Sequence, residues 1–207
     1  MKAKTIALIL IPLNIILFYF IYNSINSEVD FKKDAEIRIA ENVQKLKDLR
    51  QLQVKYKQTK GEFAKDFKSL IYFLENDSIA IVKADGEVPD SLTEVEALNL
   101  GIISRDASFA LAKENVFDPT YMDSRNNKFP LDITKLATIP HSDATYTINA
   151  GQIKKQGNLT VQVFEISTDY RTVFTGLDAE NKSYDLDALL RVGSMTEASL
   201  NGNWKSE

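Results

Sequence analysis

The chain has 207 residues, of which 44% are hydrophobic and 26% charged, and it carries a net charge of −4. That balance supplies enough apolar material for a core and excludes a globally disordered polymer. The absence of cysteine excludes disulfides, thiolate metal sites, thiol nucleophiles and a lipidated N-terminal cysteine.

The net charge hides an asymmetry. Residues 1–70 carry 13 Lys/Arg against 8 Asp/Glu, whereas residues 71–207 carry 12 against 21. The pattern reads as a basic helical part followed by an acidic globule. Nucleic acid is not an expected partner, because phosphate binding needs a basic surface and most of the mass here is acidic.

Thr5 to Tyr22 is an apolar run of 18 residues without a charge. At about 1.5 Å of rise per residue it spans roughly 27 Å, close to the thickness of a hydrocarbon core. Tyr19 and Tyr22 lie at one end, where amphipathic rings favour the headgroup level. The run closes on FYFIYNSINSE, with bulky residues where a signal peptidase requires small ones, so an uncleaved anchor is expected over residues 1–27. Lys2 and Lys4 precede it and Glu28 and Asp30 follow it. By the positive-inside rule the N-terminus stays in the cytoplasm and the rest crosses, which in a bacterium means an inner-membrane protein with a periplasmic domain. Pro12 can kink the span, and the Asn14 amide seeks a partner, either another transmembrane helix or local backbone. No Asp or Glu lies inside the run, so the span lacks the carboxylate that a proton-carrying motor helix needs.

Residues 28–76 are expected to form an amphipathic stalk and a helical hairpin. No Gly or Pro interrupts residues 30–58, and Ile39, Val43, Leu46, Leu49, Leu52 and Tyr56 recur at spacings of three or four. This stripe must be buried, against the chain's own domain or against a partner subunit. Glu41, Lys45, Asp48 and Lys55 are placed on the opposite, solvated side. Gly61 should cap the helix, and Phe63, Phe67, Leu70, Ile71 and Leu74 point to a short second helix starting near Asp66.

Residues 77–207 are read as an α+β domain. Ser78–Lys83 is expected as a strand, then a capping box over Ser91–Glu94 opening a short helix that ends at Gly101. Residues 102–112 look strand-like and residues 118–130 loop-like. Residues 145–149 and 159–167 are the clearest strands, joined as a hairpin through Gly151 to Gly157, and Arg171–Gly176 is expected as a further strand. A brief helical turn and coil should close the chain, with Trp204 covering a sheet edge or touching a partner. The expected architecture is an N-terminal transmembrane helix, a long amphipathic helix, a short second helix and an antiparallel sheet.

Chemistry is sparse. The one histidine, His141, sits in IPHSD, and no G-x-S-x-G, Walker or dinucleotide motif accompanies it. A solvated surface residue is the expectation for His141, and no enzyme activity, cofactor or metal is expected.

The segment LRQLQVKYKQTKGEFAKDFKSLIYFL, Leu49 to Leu74, resembles the end of the long first helix of type IV pilin-like and pseudopilin-like proteins. Tyr56, Gly61 and Phe63 stand at the matching positions. The wider chain resembles uncharacterised single-pass envelope proteins of the Bacteroidota, through VPDSLTEVEALNLGIISRD and the tail VGSMTEASLNGNW. Asp77-Ser78-Ile79 and Asp90-Ser91-Leu92 resemble the O-glycosylation acceptor of that phylum's exported proteins. The chain lacks the glutamate that pilins carry inside the apolar run, so the resemblance implies a pilin-shaped subunit held in the membrane. A non-catalytic subunit of an inner-membrane assembly is the expected function, with Pro12, Asn14, Tyr19, Tyr22, the stalk stripe and Trp204 as membrane or partner contacts. The alternatives are an accessory, non-proton-carrying subunit of an ion-driven motor or secretion complex, and a membrane-tethered periplasmic hydrolase.

Overall fold

A computed structural model describes residues 3–204 except Gln156 and Asn158, and leaves undescribed the side chains of residues 3–9, 82–84, 106 and 107. One helix, α1, runs unbroken over Ala3–Lys60, 58 residues with Pro12 inside it. The expected anchor and stalk are therefore one rod, about 87 Å long at 1.5 Å per residue. It ends at Gly61, whose φ of +82° suits the left-handed closing position and whose N–H donates to Lys57 O.

Helix α2, Phe67–Asn76, starts where expected: Asp66 accepts from Ser69 N–H at 2.7 Å. Strands β1 (Ser78–Asp85) and β2 (Ser104–Leu111) form an antiparallel ribbon enclosing helix α3, Glu94–Asn99. The capping box exists two residues later than expected, because Thr93 rather than Ser91 is the N-cap and Glu96 closes the box. Helix α4 (Ala112–Val116) ends what looked like a longer strand. Helix α5 (Pro119–Ser124) replaces the start of the expected loop, with Asp118 as N-cap and proline in its first turn.

Strands β3 (Thr147–Lys154), β4 (Thr160–Asp169) and β5 (Leu189–Gly193) form a separate antiparallel meander. The expected hairpin is present, but Gly151 lies within β3 and not in its turn. The expected strand at Arg171–Gly176 is instead a short helix, α6 (Tyr170–Val173). Asp169 accepts from Thr172 N–H at 2.6 Å and stops β4 by capping α6. The β-structure is thus two sheets, where one was expected.

Residues paired across the meander share a face: Phe164 with Ala150, Ile166 with Ile148 and Val192, and Thr168 with Leu190. That face packs with α1, α2 and the intervening loops into one core. Phe63 meets Phe164 at 4.6 Å between centroids, Tyr56 meets Phe73 at 5.2 Å, and Phe31 meets Phe174 at 5.7 Å. Gly193 is required in β5, since its φ is +77° and a Cβ there would lie 2.2 Å from Phe164 O. The tail completes the edge of the meander: Gly202 bridges Val192, and Asn203 accepts from Arg191 N–H and donates to Leu189 O.

Candidate functional site

From Leu10 to Asp30 every residue of α1 is exposed, including Ile15, Phe18, Phe20 and Ile25. The charge-free part of this run is unburied, and α1 is long and apolar enough to cross a membrane. Tyr19 and Tyr22 are exposed on it. Pro12 leaves the helix continuous. Asn14 takes the local option, with its amide donating to Leu10 O at 2.8 Å.

The domain begins directly beyond this run. Lys182 Nζ lies 2.9 Å from Glu28 Oε2 and 5.5 Å from the Phe31 ring centroid. Arg38 donates to Thr175 O at 3.0 Å. From Phe31 onward α1 buries one face as the spine of the domain.

Leu46, Leu49 and Leu52 are fully buried there, which corrects their assignment as partner contacts: the chain's own sheet and loops cover them. Ile39, Val43 and Tyr56 are partly buried against the same core. The spine also carries a row of buried polar groups, Asn42, Gln44, Asp48 and Gln53. Asp48 was placed on the solvated side, yet its side chain is 2% exposed and that of Arg125 4%. The two form a bidentate pair, Nε to Oδ1 and Nη2 to Oδ2, both at 2.8 Å. Tyr121 OH and Gln44 Nε2 also donate to Asp48 Oδ1, at 2.7 and 3.0 Å. Arg125 spends another N–H on Phe129 O. Burial first, and then the Asp48 charge, push the Tyr121 phenol well above its usual range, so it stays a donor. The hydrogen bond from Arg125 to Asp48 raises the guanidinium's pKa further.

The other polar groups latch loops in the same way. Tyr146 OH donates to Asn42 Oδ1 at 2.6 Å, and Gln53 exchanges two hydrogen bonds with the Ala64 backbone, each at 2.9 Å. Lys45 reaches Thr138 O, and partial burial lowers its pKa. His141, in a left-handed backbone conformation and exposed, lies 2.9 Å from Glu41 Oε2. Among the described residues no cluster of three or more His, Asp or Glu side chains could hold a metal ion.

Three of the residues singled out from sequence meet in one place. Ile39 and Val43 of α1, with Trp204 of the tail, line an open groove of about 620 Å³ that Tyr170 and Tyr184 complete. Trp204 packs against the core from this groove, while the tail segment carrying it bridges the edge of β5 at Gly202. The two tyrosines were not singled out, because only the fold brings residues 170 and 184 beside residues 39–43. Glu36 and Lys47 also line this groove.

Together these features define an α+β protein built on one long helix whose first part can cross a membrane. No family model, curated protein or solved structure matches the chain.

Proposed function

We propose that the chain is a non-catalytic, pilin-like subunit of an inner-membrane envelope assembly, with its N-terminus in the cytoplasm and its domain in the periplasm. The observation that carries this reading is the continuity of α1: a lipid-compatible run passes without a break into the spine of the domain. The latches along that spine hold the domain's loops to the rod, and Lys182 of the domain reaches Glu28, just beyond the apolar run. The contact surfaces are the exposed face of the anchor and the Trp204 groove, while the buried stalk leucines serve the core.

Purification of the full chain from membranes in mild detergent is expected to bring partner subunits with it. A lone monomer in native membranes overturns the reading. Recovery of ion-channel subunits would instead favour the accessory role in a motor or secretion complex.

A further inference from the structure

Among its described side chains, the ribbon of β1 and β2 gives the core Ile79, near its base. It begins at Ser78, directly after Asp77, whose carboxylate lies 2.8 Å from Lys60 Nζ at the far end of α1. Lys60 lies 38 residues beyond Tyr22, so the ribbon is rooted about 55 Å along the rod from the end of the apolar run. Two paired strands of eight residues reach roughly 25 Å. Among the described residues helix α3, at the tip, makes no extensive contact with another helix or strand.

The arm is apolar and acidic. Phe109 is 76% exposed and Val95 67%, with Leu98, Leu100, Ile102 and Leu111 exposed as well. Residues 85–103 carry Asp85, Glu87, Asp90, Glu94 and Glu96 and no basic side chain. Glu94 pairs with Arg105 and Glu96 closes the capping box. Asp85, Glu87 and Asp90 form no ion pair among the described residues. Over the whole arm Lys83 and Arg105 are the basic residues, and exposed apolar groups beside such an acidic excess mark an interaction surface.

The complementary surface lies on the rod beside the root of the arm. Residues 55–68 hold Lys55, Lys57, Lys60, Lys65 and Lys68 against Glu62 and Asp66. Beside them an open recess of about 710 Å³ is lined by Tyr56, Lys60, Lys68 and Tyr72, and Tyr72 is 62% exposed. The recess's carboxylates are engaged, Asp66 by Ser69 and Asp77 by Lys60. Lys65 and Lys68 form no ion pair among the described residues.

We propose that the arm of one copy docks on the lysine-rich distal end of the rod of a second copy, placing the α3 apolar groups against Tyr72. The inference rests on the membrane-anchored reading, because anchoring in one bilayer holds neighbouring rods parallel and sets the root of one arm level with the recess of the next. The contact joins two different patches, so it repeats from copy to copy and yields a ring or an array.

The lack of cysteine makes the test direct. Full-length chains carrying Val95→Cys and Tyr72→Cys, with different tags, are co-expressed and oxidised in native membranes. A disulfide-linked heterodimer is expected, whereas Val95→Cys with Glu180→Cys, near the membrane end of the domain, should not link. Lys65→Glu with Lys68→Glu should lower the linked fraction about tenfold, and adding Glu87→Lys with Asp90→Lys should restore it. No linkage, equal linkage of both pairs, or indifference to charge reversal overturns the docking. Alkali extraction and protease accessibility of the same membranes test the anchor separately: a membrane-held, exported chain that does not link refutes the docking alone, and a soluble chain refutes the anchored reading.

Discussion

Replacing Arg125 by methionine would leave the Asp48 carboxylate buried without its bidentate counter-charge. Its side chain is 2% exposed, and it would lose both 2.8 Å hydrogen bonds from the guanidinium, keeping the donors of Tyr121 and Gln44. Stranding one partner of a buried pair costs about 3–5 kcal/mol. The chain's end of the same interaction, Arg125 to Phe129 O at 2.6 Å, would be lost as well and would loosen the loop after α5. For a protein of this size each kcal/mol moves the midpoint by about 2–4 °C, so a fall of roughly 6–20 °C is expected. The near-ultraviolet circular dichroism of the full chain in detergent, followed with temperature, reports the domain without counting the anchor's helix. The double variant Asp48→Leu with Arg125→Met removes the stranded charge and should recover part of the loss. The remainder, about 1–3 kcal/mol for each orphaned donor, should persist because Tyr121 and Gln44 lose their acceptor. A single Arg125→Met variant within about 1 kcal/mol of the parent would refute the view that this pair locks the loop to the spine.

Leu49→Ala, at a fully buried spine position, should cost about 2–5 kcal/mol in the same melt, while retention in the membrane fraction stays unchanged. Gly193→Ala should abolish the cooperative transition or lower its midpoint sharply, because the added Cβ meets the Phe164 carbonyl in a left-handed backbone position; an unchanged melt would contradict this. The carboxylates of Asp66, Glu96 and Asp132 are held below their usual range, Asp66 and Glu96 chiefly by backbone N–H groups at their helix starts and Asp132 chiefly by the Thr134 hydroxyl. The unfolded chain therefore takes up these protons first as the pH falls. Their contribution is complete above the unfolded values of about 4 and is lost on further acidification through the folded ones. Melts between about pH 6 and 2 should show that onset, and Asp66→Asn with Glu96→Gln should flatten it.

Local signals in the chain carried the architecture that depends on neighbours in sequence. A charge-free run, a period of three to four and a glycine at the end are enough for α1, and an aspartate before Phe67 is enough for α2. Caps that compete with strands were harder to read. Asp169 diverts a β-branched segment into α6, and Pro119 behind Asp118 starts a helix inside a polar stretch. β5 escaped notice because five residues ending in glycine carry too little alternation to stand out. Asp48 looked like part of a solvated face because its partner is 77 residues away in a segment read as loop. The division of the strands into two sheets and the meeting of Ile39, Val43 and Trp204 likewise depend on long-range packing. Helix extent and capping are set within one or two turns of chain. Which face of the rod is dry, and which charge it can afford to bury, is set by whatever the distant chain lays over it.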